Sequence, residues 1–177
     1  MSPGPLTRFD PLRLASQASE LSGELESTRM PRLSDVITGP STVHWTVRAG
    51  RDEARRLVLT GTVRADVESN CQRCMEPVSL PLRSEISLAV VSDEDSARGL
   101  PASLDPVFTD DNGEIDLVEL LEDELLLAMP AVPLHENIAD CGERASIMRV
   151  EAPEEFDSAE KENPFAVLKK LKQDKPD

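Results

Sequence analysis

The chain has 177 residues, is 39% hydrophobic and 3% aromatic with no Tyr and one Trp, and carries a formal net charge of −15, which suits one domain with a tail, or at most two small domains, and a core made mainly of Leu, Val, Ile and Ala. No apolar run approaches the roughly 18–20 residues of a membrane span, the first residues lack the apolar stretch of a secretory signal, and three cysteines, an odd number, argue against a secreted disulfide scaffold, so a cytoplasmic protein with no membrane partner is expected. Residues 1–92 balance 11 acidic against 11 basic side chains, whereas residues 93–162 hold 21 acidic and 4 basic, a segment that repels a phosphate backbone and serves either as a solvating surface or as a face for a basic protein.

In chain order, Asp10-Pro11 predicts a short helix to about Glu20, with Asp10 as N-cap, Pro11 at the first helical position and Leu12, Leu14, Ala15 and Ala18 as its apolar face. Residues 22–40, broken by Pro31, Gly39 and Pro40, read as irregular. Three extended runs follow. Val43, Trp45 and Val47 alternate in the first. Leu57, Leu59, Gly61, Val63, Ala65 and Val67 alternate in the second, with Gly61 expected at a bulge or bend. Leu80, Leu82, Ile86, Leu88 and Val90 share a face in the third, between Val78 and Val91.

A polar connection over 92–114 carries an expected edge strand near Pro106–Thr109 and a turn at Asn112-Gly113. The clearest helix is Asp116 to Met129, capped by Asp116 with acid in its first turn and ended by Pro130. Its apolar stripe is Val118, Leu121, Leu125 and Ala128, widened by Leu117, Leu120 and Leu127, leaving Glu119, Glu122, Asp123 and Leu126 for solvent. Residues 151–162 read as an acidic linker. Residues 163–177 then read as a short amphipathic helix, with Asn163 as cap, Pro164 at its first position, and Phe165, Leu168 and Leu171 on one face. So short a helix is marginal alone in water and requires a surface, either a partner's or this chain's own.

Cys71-Gln72-Arg73-Cys74 lies between two extended runs, and His135 and Cys141 follow the long helix. Tetrahedral Zn²⁺ takes four Cys or His ligands, so Cys71, Cys74, His135 and Cys141 form a candidate closed, structural zinc site. The alternative is surface thiols without a metal. A redox C-x-x-C would normally open a helix, which these flanks do not predict. Phosphate-loop, dinucleotide and nucleophile-elbow motifs are absent from the sequence. His44 is expected to face solvent, and Asp110-Asp111 and Glu122-Asp123-Glu124 read as surface charge rather than a Mg²⁺ site.

Several of these segments together resemble the YceD family of large ribosomal RNA subunit accumulation proteins. They are Pro5-Leu6, Asp10-Pro11, Cys71-Gln72-Arg73-Cys74 with Pro77, Gly113-Glu114-Ile115-Asp116-Leu117, Met129-Pro130-Ala131-Val132-Pro133-Leu134-His135 with Cys141 downstream, and Asn163-Pro164-Phe165-Ala166-Val167-Leu168. The resemblance implies a part in the synthesis, processing or stability of 23S rRNA and no known catalysis; zinc rests on ligand spacing alone. The expected fold is α+β: an antiparallel β-meander or small barrel-like sheet covered by one long helix over residues 1–150, then the linker 151–162 and a flexible tail 163–177.

The expected activity is that of a non-catalytic factor binding a ribosomal or ribosome-assembly protein, with Asn163, Pro164, Phe165, Leu168 and Leu171 at the contact. Two rival readings stand beside it. One is direct binding of large-subunit rRNA through Arg51, Arg55, Arg56, Arg64 and Arg73; the other is a metal-dependent hydrolase, which needs an open metal position.

Overall fold

The structure, a computed structural model, describes residues 7–142. Its elements are β1 (Arg8–Phe9), α1 (Pro11–Gln17), β2 (Glu20–Glu26), α2 (Pro31–Ser34), β3 (Thr42–Arg51), β4 (Leu57–Asn70), β5 (Pro77–Val91), α3 (Glu94–Arg98), β6 (Asp105–Phe108), β7 (Ile115–Asp116) and α4 (Leu117–Ala128). Short 3₁₀ turns cover Ser27–Arg29 and Ile138–Cys141. The architecture is α+β, with a five-stranded sheet in the order β2-β3-β4-β5-β6 and a separate two-stranded pairing of β1 with β7.

Strands β2 to β5 form an antiparallel meander. β6 departs from it, lying parallel to β5 with Leu88 opposite Asp105 and Val91 opposite Phe108. A parallel neighbour needs a crossover of a dozen or so residues, and the segment between β5 and β6, containing α3, supplies it. Among the described residues no pairing joins β2 to β6, so the sheet has two edges rather than a barrel's closure.

The expected bulge at Gly61 is absent. Pairing runs without a slip from Val43↔Ala65 to Arg51↔Leu57, and from Val58↔Ala89 to Asn70↔Pro77. Gly61 is needed because the chains approach closely there: a Cβ on it would collide with the Thr46 carbonyl oxygen. β2 replaces part of the stretch expected to be irregular. Its alternate positions are Leu21, Gly23 and Leu25, of which only Leu25 is buried, so the apolar periodicity was too thin to read. The indole of Trp45 lies over Gly23, whose missing side chain makes room for the ring.

One face of the sheet carries the core: Val43, Trp45 and Val47 from β3, Leu59, Val63 and Val67 from β4, and Leu80, Leu82 and Ile86 from β5. α4 packs on β4 and β5, while α1 packs on β3 and β4, so the long helix shares the covering role. Asp10 caps α1 by accepting from the amides of Leu12 and Arg13. α1 stops at Gln17, because Ala18 takes the left-handed conformation and the chain turns into β2. Leu14 is buried, but Leu12 and Ala18 face solvent.

α4 starts where its cap predicts, with Asp116 accepting from the amides of Val118 and Glu119. Its buried face is Leu117, Leu120, Leu121 and Leu125, rotated from the expected stripe: Leu127 is 81% exposed and Glu122 only 3%. Glu122 is buried because it caps the N-terminal end of α2. Its carboxylate accepts from the Leu33 amide at 3.0 Å and from Arg32 Nε at 2.9 Å, and the positive end of a helix favours an anion. Arg32 also reaches Asp123 at 2.6 Å.

Candidate metal centre

The four residues picked out by spacing converge. The sulfurs of Cys71, Cys74 and Cys141 and a ring nitrogen of His135 all lie within 4.8 Å of one another. All three cysteines are buried. The turn between β4 and β5 presents the first two: the Cys71 amide donates to Glu76 O at 2.9 Å and the Met75 amide to Cys71 O at 2.8 Å. Met75 takes a left-handed φ of 63° to bring the chain into β5. The loop after α4 presents the other two, tied to the turn by the Gln72 amide donating to Pro133 O at 2.8 Å. Gly142, at φ 59° and ψ −150°, follows Cys141 in a conformation open to glycine and strained for other residues.

Three of the cluster's six edges are close to those of a tetrahedral ion. Zn–S bonds near 2.3 Å and Zn–N bonds near 2.05 Å imply S···S edges of roughly 3.8 Å and S···N edges of roughly 3.6 Å. His135 Nδ1 stands 3.5 Å from Cys74 Sγ and 3.6 Å from Cys141 Sγ, and Cys71 Sγ lies 4.0 Å from Cys141 Sγ. His135 Nε2 sits 3.1 Å from Pro77 O. A carbonyl only accepts, so Nε2 holds the proton and Nδ1 presents a bare lone pair to the sulfurs, the arrangement a metal-ligating histidine needs.

The surroundings favour a thiolate. Burial pushes the Cys71 thiol up, but the backbone N–H groups of His135, Cys74 and Arg73 outweigh it and bring it down to about 5. Burial holds the Cys74 thiol above its ordinary value; the Glu76 amide opposes this, and the sulfurs of Cys71 and Cys141 add to it. Metal ligation needs each cysteine as a thiolate, and a cation bound among the sulfurs would offset the cost of burying that charge. Arg73 adds a partial one, its guanidinium donating to Cys141 Sγ at 3.5 Å. Flanked by β4 and β5, the C-x-x-C opens no helix, so the dipole that activates a redox dithiol is missing.

Large ribosomal RNA subunit accumulation protein YceD is the family description whose profile matches residues 59–172. A curated relative from Haemophilus influenzae, itself called large ribosomal RNA subunit accumulation protein YceD, is 36% identical over 171 residues, 96% of either chain. The chain belongs to the YceD family. No solved structure matches it. The matched span of this YceD-family chain includes all four members of the cluster.

Other predicted residues are dispersed or lie elsewhere. Asn163, Pro164, Phe165, Leu168 and Leu171 lie outside the described residues, as do linker residues 151–162. Arg51 ends β3 and Arg55 and Arg56 lie in the β3–β4 turn, where Arg56 pairs with Asp52 at 2.6 Å, while Arg73 sits beyond the far end of β4. β4 has 14 residues, so these groups are separated by about 45 Å and form no single basic patch. The sheet's outer face instead aligns His44, Arg64 and Arg83 in one cross-strand row. Arg83 went unnoticed in the sequence because only the register puts it beside Arg64. His44 faces outward, its Nδ1 3.2 Å from Glu24. No helix among the described residues is long and apolar enough to cross a membrane.

Proposed function

We propose that this chain is a non-catalytic cytoplasmic factor in large-subunit biogenesis. It supports 23S rRNA synthesis, processing or stability by binding a basic ribosomal or ribosome-assembly protein. Cys71, Cys74, His135 and Cys141 hold one structural Zn²⁺, which pins the loop after α4 to the β4–β5 turn. Four converging protein donors fill a tetrahedral shell. The hydrolase reading, which needs three ligands and an open position, therefore has nothing to support it.

The observation that carries the partner's chemistry is the surface beside α4. Asp110, Glu114, Asp116, Glu119 and Asp123 line one groove with apolar Phe108 and Leu120, and its sole base, Arg8, is already paired with Asp110 at 2.8 Å. A lysine- or arginine-rich protein segment complements such a surface, and opposite potentials speed and direct encounter. Residues 163–171 supply a tethered anchor. The test is affinity purification from growing cells with wild-type chain and with Glu114→Lys/Glu119→Lys, identifying proteins and RNA. Basic ribosomal or assembly proteins retained by the wild type and lost from the variant are expected; an unchanged set defeats the reading.

Direct RNA contact is a second reading, favoured by the His44–Arg64–Arg83 row. Arg64 and Arg83 stand directly opposite each other; Asp66, 3.9 Å from Arg83, offsets part of that like-charge contact, and a phosphate would offset more of it. A pocket lined by Ser41, Thr42, His44, Arg64, Asp66 and Arg83 opens there. Recovery of RNA without protein, reduced by Arg64→Ala, would favour this reading over the first.

A further inference from the structure

Exposed large apolar side chains concentrate around the metal centre. Val36 lies between α2 and β3, Met75 in the cysteine turn, and Val132, Leu134 and Ile138 in the loop from α4 to Cys141; all are 38–58% exposed. Two of them, Val36 and Val132, line a groove of about 610 Å³ together with Leu126 and Met129, and its only charged lining residue is Asp35. The groove's walls are fixed. Ser69 Oγ donates to Val36 O at 2.9 Å, and the Gln72 amide holds Pro133 O at 2.8 Å.

We propose that this groove is the docking site of the chain's own C-terminal segment, residues 163–172. The first ground is where the described chain ends. Cys141 is held in the cluster beside Cys71, whose neighbour Gln72 lines the groove, so the chain departs next to it at Gly142. Residues 143–162 then intervene. A linker of that length spans roughly 25 Å on average and at most about 70 Å, which gives the tethered segment an effective concentration on the order of millimolar.

The second ground is chemical fit. Phe165, Leu168 and Leu171 recur at helical spacing, while Lys169 and Lys170 fall outside that stripe. The apolar stripe enters a groove whose one charged lining residue is Asp35, Lys169 and Lys170 remain in solvent, and Lys172, four residues after Leu168, falls on the stripe's side at the segment's end. A helix of this size, about 15 Å long, gains from the groove the support it lacks in water. The inference goes beyond the assembly reading and does not depend on it. A basic partner that captured this segment would have to compete with the groove.

The experiment places a photoreactive benzophenone amino acid at position 165 of the full-length chain, irradiates it at low micromolar concentration and maps the cross-links by mass spectrometry. Intramolecular cross-links to Val36, Met129 or Val132 are expected. Val36→Asp/Val132→Asp should abolish them and speed the first tryptic cuts at Lys169 and Lys170 at least ten-fold, with Leu127→Asp, outside the groove, changing neither. Phe165→Ala, placed outside the described body, should give the same acceleration even if the groove variant proves poorly folded. Cross-links scattered away from the groove, cross-links only between molecules, or cleavage unaffected by Phe165→Ala would each overturn the proposal.

Discussion

Within β4 and just beyond it the chain passes between two regimes. From Leu59 to Val67 the inward positions Leu59, Val63, Ala65 and Val67 are buried against helices, and the register holds without a slip. Beyond Asn70, the turn from Cys71 to Pro77 buries only its two cysteines, and the loop from Ala131 to Gly142 buries only Cys141. Burial of apolar area, worth about 1.5–3 kcal/mol per large side chain, sustains the sheet. It has almost nothing to act on at the cysteine end. Few buried side chains besides the cysteines support that end; under the proposed zinc site the four donors would supply the cohesion that burial does not, leaving apolar side chains there available to bind something else.

Metal removal should separate the two regimes most strongly. Under chelation, backbone amides of residues 131–141 should lose on the order of 1,000-fold hydrogen-exchange protection, as follows from removing a ligand held at a thousand times its Kd. Those of β3 to β5 should change little. Equal loss in both places would mean that one cooperative unit, not two, is being held.

Leu121→Ala addresses the other regime. The side chain is fully buried, so urea unfolding should show a loss of about 2–5 kcal/mol with the bound metal retained. Leu127→Ala, six residues along the same helix and 81% exposed, should stay within about 0.5 kcal/mol.

Glu122→Gln tests the link between α4 and α2. A neutral amide keeps the shape but weakens the acceptor for Leu33 and Arg32, and a loss of about 1–3 kcal/mol is expected by denaturant titration. The smallest effect concerns Asp110. The Glu114 amide most strongly, against the opposing effect of burial, and then the Asn112 amide and Arg8 hold its carboxyl below the ordinary carboxylate range. A depressed folded pKa gives stability that is present above the unfolded value and is lost as pH falls through the folded one. Thermal melts should therefore drop below about pH 4, and less steeply in Asp110→Asn than in the wild type.

What was legible in the sequence follows the same division. β3, β4 and β5 were plain because alternation reports one buried face directly. Asp116 marked the start of α4 because an N-cap is a local device. The parallel placement of β6 was not legible, since nothing in Asp105–Phe108 records which way its neighbour runs. Nor was the burial of Glu122, whose partners Arg32 and Leu33 are some 90 residues away. The metal cluster could be named from ligand type and spacing, because thiols and imidazoles are few in this chain. Its second layer, the Pro77 carbonyl that orients His135, could not, as a backbone group leaves no mark in sequence.

We propose that the cluster of Cys71, Cys74, His135 and Cys141 closes around one metal ion and so organises this end of the molecule. Native mass spectrometry of the full-length chain, purified without chelators, tests this directly. One zinc ion per chain is expected, lost in Cys141→Ser, and replaceable by Co²⁺ with the visible spectrum of a tetrahedral thiolate site. A wild-type chain that holds no metal under those conditions, or a Co²⁺ spectrum showing an additional water ligand, would contradict it.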